Sequence, residues 1–223
     1  MLNAVAEHPG DIGWDDIVHQ SRSGVSSGLL AGTQIATGGG WKTVEEISAG
    51  DKVLTFDAGL QTVTKVAQTT LWDGDGDCPV NFWPLSVPAG ALGNRQEIMV
   101  LPCQSILTQC GVSEEIHGDP FSLIPARAAN GMHGISRIAP ERDMQVVILH
   151  FAKEQVVFTR AGALFQCPAC KDTIEQKNEE KEQPFYPLLR LDQARFLLHQ
   201  IEDSIADAFS FPPVEAFGAA APA

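Results

Sequence analysis

The sequence predicts a mainly β domain that ends in one amphipathic helix. Short stretches of alternating or β-branched residues recur between residues 29 and 166, and turn-forming glycines and prolines separate them. Long helical segments do not alternate with these stretches, as they would in a parallel α/β fold. Near the C-terminus, apolar residues recur at the three- and four-residue steps of a helix with one buried face: Ala194, Leu197, Leu198, Ile201 and Ile205.

The first half of the β region divides into strands at its turns. Residues 33–37 alternate between polar and apolar, and the glycines at 38–40 then supply a turn. A second turn at residues 49–51 precedes a strand over residues 52–56. Residues 60–70 are rich in threonine and valine, which favours one long strand.

The second half contains further short apolar stretches of strand length. Strands are expected at residues 98–101, 105–108 and 121–125. Residues 145–150 and 155–159 lie close together in the sequence, so they predict a β-hairpin.

These patterns divide the chain into segments of different character. The stretch before residue 28 is rich in serine at its end and resembles a linker, and the stretch after residue 170 is mostly charged without apolar periodicity. The predicted organisation is an N-terminal arm over 1–27, a β domain over 28–170, a charged loop over 171–184, a helical segment over 185–209 and a tail over 210–223.

The composition limits the classes of partner. The chain has 223 residues with a formal net charge of -13, so its field repels phosphate backbones, and we expect no nucleic-acid partner. A protein partner with a basic surface is the expectation that fits this charge. No apolar stretch approaches the ~20 residues of a membrane span, and the first residues lack the pattern of a signal peptide. We therefore expect a soluble, cytoplasmic protein, in which the five cysteines are free thiols.

A run of residues at the start of the β domain resembles a known family. It consists of Gly28-Leu29-Leu30-Ala31-Gly32-Thr33-Gln34-Ile35-Ala36-Thr37, followed by Val44-Glu45, Gly50-Asp51 and Val53-Leu54-Thr55. This run resembles the opening of Hint domains, the Hedgehog/intein family. The resemblance continues to about residue 167, and residues 186–190 resemble a tail found in a bacterial subgroup. It implies a compact, pseudo-two-fold, all-β horseshoe, and the periodicity described above adds a C-terminal amphipathic helix.

The resemblance also implies where bond-breaking groups would stand. In active members a Cys or Ser side chain attacks the preceding carbonyl with histidines nearby. In this chain Gly28 occupies the nucleophile position, Gln104 and Gln155 occupy two histidine positions, and Gln166, before Cys167, matches the histidine of a terminal His-Asn pair. Glutamine forms hydrogen bonds but does not titrate near neutral pH. The resemblance therefore implies a degenerate site, and we expect no enzymatic activity.

The leading functional hypothesis is a non-catalytic Hint-like interaction module, an accessory component of a larger assembly. Four aromatic residues are candidate partner anchors, because aromatic side chains dominate many protein interfaces: Trp14, Trp72, Phe82 and Trp83. The alternative for these residues is a contribution to the domain's own core.

The first alternative function is a self-cleaving peptidase with a shifted serine nucleophile. Ser26 or Ser27 would then attack in place of residue 28, although a one-residue shift displaces the attacking atom by ~3 Å. His150 matches a position at which bacterial Hint domains often carry histidine, and packing within a strand is the alternative for it.

The second alternative is a zinc-stabilised binding domain. Cys167 and Cys170 have the spacing of half a zinc site. Cys103 and Cys110, or His117, are the candidates for the remaining ligands. Without zinc, no cofactor is expected.

Overall fold

The computed structural model describes residues 24–109, 111, 114, 118–170, 186–200, 208, 209 and 211. The predicted arm up to residue 23, the charged loop over 171–184 and most of the tail lie outside the described residues. Trp14, Cys110, His117, Ile201 and Ile205 lie outside them as well.

The regular secondary structure of the described residues is mainly β-strand, with a helix near the C-terminus, which confirms the predicted fold class. The strands are β1 (Leu29–Leu30), β2 (Gln34–Thr37), β3 (Gly40–Thr43), β4 (Lys52–Thr55), β5 (Gly59–Thr62), β6 (Lys65–Thr70), β7 (Leu85–Val87), β8 (Ile98–Val100), β9 (Ser105–Gln109), β10 (Phe121–Pro125), β11 (Ser136–Arg137), β12 (Gln145–His150), β13 (Gln155–Phe158) and β14 (Leu164–Cys167). The helix is α1 (Leu191–Gln200), and short 3-10 helices span Val44–Glu46, Val80–Phe82 and Ala126–Ala129.

The strands form three antiparallel sheets. The small sheet has the order β1-β12-β6, and the large sheet has the order β10-β9-β14-β13-β4-β2-β3 with β5 beside β4. A third sheet has the order β11-β7-β8. Strand β1, which begins next to Gly28, lies against β12 with Leu29 opposite Val147. This pairing fixes the start of the predicted β domain against the middle of a buried strand.

The expected single strand over residues 60–70 is two strands, so that prediction is wrong. Strand β5 pairs with β4 in the large sheet, and β6 pairs with β12 in the small sheet. Between them the backbone of Val63 bonds to the turn at residues 50–51, whereas the amide of Thr64 donates to the carbonyl of His150. The chain changes sheet at this point, which composition alone does not reveal.

The expected hairpin of residues 145–150 and 155–159 is also wrong. Strand β12 lies between β1 and β6, and β13 lies between β14 and β4. Four of the six residues of β12 and all four residues of β13 are buried, because each strand lies inside its sheet between two other strands. After β12 the chain passes from the small sheet to the large sheet. There the amide of Phe151 donates to the carbonyl of Pro168, and the amide of Cys170 donates to the carbonyl of Phe151.

Helix α1 covers one end of the core. Ala194, Leu197 and Leu198 are buried in the main hydrophobic cluster, as their helical spacing predicts. They share this cluster with the alanines of the 3-10 helix at Ala126–Ala129. That 3-10 helix also contacts the loop that carries Gln104, because the amide of Ala126 donates to the Gln104 carbonyl.

Candidate functional site

The peptide bond between Ser27 and Gly28, called the junction below, opens on a small cavity at the meeting point of the small and large sheets. The cavity has a volume of about 50 Å³. It is lined by Ser27, Gly28, Leu29, Gln104, Ser105, Val147, Ile148, Leu149, Glu154, Gln166, Cys167 and Pro168. Three of the four positions that the sequence identified as degenerate, Gly28, Gln104 and Gln166, therefore lie together.

Gln104 holds the amide of the junction. The backbone N–H of Gly28 donates to Gln104 Oε1 at 3.0 Å. Gln104 Nε2 donates to the carbonyl of Gln166 at 2.8 Å and to the carbonyl of Ser105 at 3.1 Å. The side chain is 2% exposed, so each of its polar atoms needs such a partner. The residue that the resemblance aligned with a histidine thus contacts the junction directly.

Gly28 has no room for a side chain. Its φ of 128° is a backbone conformation that favours glycine. A Cβ built there would lie 2.6 Å from Val146 Cγ1 and 3.1 Å from Ile148 Cγ1. These methyl and methylene groups belong to β12 and are buried. A cysteine could therefore be accommodated only if Val146, Ile148 or the junction shifted.

The serines before the junction make two different contacts. Ser27 Oγ lies 3.4 Å from Gln104 Oε1, at the long limit of a hydrogen bond. The carbonyl of Ser26 accepts a hydrogen bond from the amide of Cys103 at 2.8 Å. The Cys103 sulfur in turn lies 3.1 Å from Arg127 Nη1, which donates to it.

Glu154 is a site residue that the sequence analysis missed. Its carboxylate lines the cavity, and its Oε2 accepts from Gln166 Nε2 at 3.1 Å. Burial raises the pKa of Glu154 above its ordinary value. No sequence pattern indicated a role for Glu154, because it stands between two strands next to Lys153, where a charged residue is normally solvated.

Cys167 also lines the cavity, but as a protonated thiol. It is buried in β14, and this burial raises its pKa to about 12. The thiolate is the nucleophilic form of cysteine, so this sulfur is not an attacking group at neutral pH.

Gln155 and His150 are not among the residues that line the cavity, so their place at the site stays a prediction. Gln155 is buried in β13 opposite Cys167. His150 is opposite Lys65 at the end of β12, and its carbonyl accepts from the amide and the hydroxyl of Thr64. Its Nδ1 is buried without a hydrogen-bond partner among the described residues.

The described candidate anchors pack within their own domain. The rings of Trp72 and Phe82 lie 5.6 Å apart, and Phe82 is buried. Trp83 is half-buried, and its indole N–H donates to the carbonyl of Cys78 at 2.8 Å. A role for these residues in partner binding stays a prediction.

The cysteines give no further support to the zinc hypothesis. The four that the structure describes, Cys78, Cys103, Cys167 and Cys170, are free thiols. Within the described part of the chain, no three His, Cys, Asp or Glu side chains are grouped closely enough to hold a metal ion. Cys110 and His117 lie outside that part, so zinc binding stays untested.

The peptide bond between Ser27 and Gly28 lies beside a cavity between two sheets of a mainly β fold. Comparison with known families identifies the class of protein that has this fold. A family model described as the Hint domain matches residues 27–164, beginning at the junction itself. The chain belongs to the Hint domain family, as the resemblance predicted.

Several solved structures match this chain at low sequence identity. The AceL NrdHF class 3 split intein, a GSH-linked and splice-inactive variant, is 21% identical with a TM-score of 0.37, covering 64% of this chain and 98% of its own. The bacterial intein-like domain from Clostridium thermocellum is 14% identical with a TM-score of 0.45, covering 62% and 97%. The gp41-1 intein is 15% identical with a TM-score of 0.39, covering 63% and 98%. No curated protein matches significantly. Among the described residues, no helix is long and apolar enough to cross a membrane.

Proposed function

We propose that this Hint domain leaves its junction uncut and serves as a non-catalytic interaction module in a larger protein assembly. The closure of position 28 is the observation that carries the proposal. In the family chemistry the attacking side chain belongs to the residue after the scissile bond, and here Val146 and Ile148 fill the space that its Cβ would need.

The groups around the junction hold it rather than activate it. Gln104 accepts from the Gly28 amide but cannot take up or release a proton near neutral pH. The carboxylate of Glu154 is separated from Gln104 by Gln166, which contacts both. The thiol of Cys167 is protonated. Among the residues that the structure describes, no base is hydrogen-bonded to Ser27 or Gly28, and catalysis that lacks both nucleophile and base loses several orders of magnitude in rate.

The partner we propose is a protein with a basic surface. The chain carries 28 acidic and 15 basic residues, so long-range attraction favours a partner of opposite charge. Association should therefore weaken with added salt.

Intact mass spectrometry of the purified full chain tests the absence of cleavage. We expect one species at the mass of all 223 residues after incubation between pH 6 and 9, with or without added thiol or hydroxylamine. The Ser27→Ala variant is the matched control and should behave identically. Accumulation of fragments that end at residue 26 or 27 would overturn the proposal.

A second candidate, self-cleavage from Ser27, is favoured by one contact. The Cys103 amide donates to the Ser26 carbonyl at 2.8 Å, where a developing oxyanion would gain from a donor. Ser27 Oγ would attack that carbonyl carbon and form an ester bond, the bond from Ser26 to the Ser27 nitrogen would break, and the hydroxyl proton would pass to the released amine. Water would then hydrolyse the ester.

Hydroxylamine separates the two candidates. It would convert such an ester into a hydroxamate at the end of residues 1–26, and Ser27→Ala would abolish this product. Under the first proposal neither protein yields it.

A further inference from the structure

Residues 24–27, the segment immediately before the junction, pack against the domain through backbone hydrogen bonds. Gly24 forms an antiparallel bridge with Trp72, just beyond the end of β6. The amide of Val25 donates to the carbonyl of Leu71 at 2.9 Å, and the carbonyl of Ser26 accepts from the amide of Cys103 at 2.8 Å. Backbone hydrogen bonds to Leu71 and to Cys103 thus hold the segment.

The side chain of Val25 anchors this segment. It is 7% exposed and belongs to a buried hydrophobic cluster. The other buried members of this cluster are Leu30, Leu71, Leu101, Val146 and Ile148. A residue that precedes the family-model match by two positions therefore contributes to the core.

Gly24 fits because it lacks a side chain. A Cβ there would lie 2.8 Å from Trp72 Cε3 and 3.2 Å from two ring atoms of Phe82. Trp72 and Phe82 pack on each other, which restricts both rings. Steric contact with these two rings therefore favours glycine at position 24.

From these contacts we propose that the surface under residues 24–27 is a peptide-binding site. It would select an extended segment with glycine at position 24 followed by a small apolar residue. We call it the upstream groove, and it consists of Leu71, Trp72, Phe82, Leu101 and Cys103. Its occupant is the chain's own residues 24–27. The proposal goes beyond the proposed function, because the groove would retain the upstream polypeptide whether or not the junction is cut.

Hydrogen exchange on the full-length Gly24→Ala variant tests the selectivity. Overpacking of this size weakens docking by a factor of about 5 to 100, so the amides of Val25 and Cys103 should exchange faster by that factor. The amide of Ile106 in the large sheet should be unaffected. Gly39→Ala is the control, since Gly39 has no positive φ and a Cβ there meets only Thr37 Oγ1, at 3.9 Å. It should leave Val25 and Cys103 protected.

A peptide added in trans tests whether the groove is a binding site. The probe is a synthetic peptide with the sequence of residues 21–28, added to the full-length Gly24→Ala protein. It is added at about 1–5 mM because the tethered segment has an effective concentration in the millimolar range, which a separate peptide must match. It should restore protection of the Cys103 amide, whereas the same peptide with alanine at the Gly24 position should not.

Unchanged exchange in Gly24→Ala, or equal effects of the two peptides, would overturn the proposal. If Gly24→Ala fails to fold, Val25→Ser removes the anchor without adding volume and should produce the same local loss of protection. None of these readouts depends on cleavage, so they fail or succeed independently of the mass measurement above.

Discussion

The closure of position 28 predicts that Gly28→Ala costs more stability than Gly32→Ala. Both glycines have positive φ, 128° and 84°, so each alanine bears a backbone penalty of about 1–3 kcal/mol. Only the Cβ at position 28 meets a neighbour, Val146 Cγ1 at 2.6 Å. Overpacking of a buried site costs about 1–3 kcal/mol more. The total for Gly28→Ala is therefore about 2–6 kcal/mol.

Urea unfolding of the full chain, followed by tryptophan fluorescence, measures this difference. Each alanine restricts the unfolded chain equally, so that contribution cancels between the two variants. Val146→Ala opens the space next to Gly28 and supplies a double-mutant cycle. The double variant should lose less free energy of unfolding than the two single variants lose in sum, by about 1–2 kcal/mol.

Two results would refute the steric reasoning. Gly28→Ala would cost no more than Gly32→Ala, or the cycle with Val146→Ala would show no coupling. If the reasoning holds, Gly28→Cys alone cannot restore the family's nucleophile, because its Cβ meets the same methyl group.

Three further predictions concern polar side chains. Burial raises the pKa of Glu154, so the folded domain gains stability below the ordinary pKa of about 4.3 and loses it as the pH rises through the raised value. Glu154→Gln should therefore be more stable than the wild type at pH 7 in urea and equal to it near pH 3.5. Tyr186→Phe removes the hydroxyl that donates to Asp57 Oδ1, and should cost about 1–3 kcal/mol at pH 7 by thermal unfolding. Asn94 is buried and bonds through Oδ1 to one amide and through Nδ2 to three carbonyls, so Asn94→Ala should cost about 2–4 kcal/mol. Exposed Gln96→Ala should change stability by less than about 0.5 kcal/mol in the same assay.

Local patterns predicted those parts of the fold that depend on neighbours in sequence. The turn at residues 38–40 and the strand after residue 51 follow from glycine placement and alternation, and the buried face of α1 follows from its periodicity. Strand partners did not follow. Strands β12 and β13 are apolar on both faces, so alternation gives no indication of which sheet each joins.

The site shows the same division. The resemblance identified Gly28 and Gln104, and the structure brings both to the junction. It could not reveal that β12, far along the chain, fills the space beside Gly28, since that depends on packing. Glu154 was missed because a parallel bridge between Phe151 and Ala169, rather than any local pattern, fixes the segment that carries it.

Glutamine at position 104 does what histidine could do only in part. Its Oε1 accepts from the Gly28 amide while Nε2 donates to two carbonyls, at every pH in the working range. A neutral imidazole has one acceptor and one donor, and a protonated imidazole has no acceptor for the Gly28 amide. Gln104→His should therefore hold the junction only above its own pKa, and exchange at Gly28, corrected for intrinsic rates, should accelerate as the pH falls through about 6.5. The wild type should show no such step. A step in the wild type, or its absence in the variant, would mean that Gln104 does not hold the junction amide in solution.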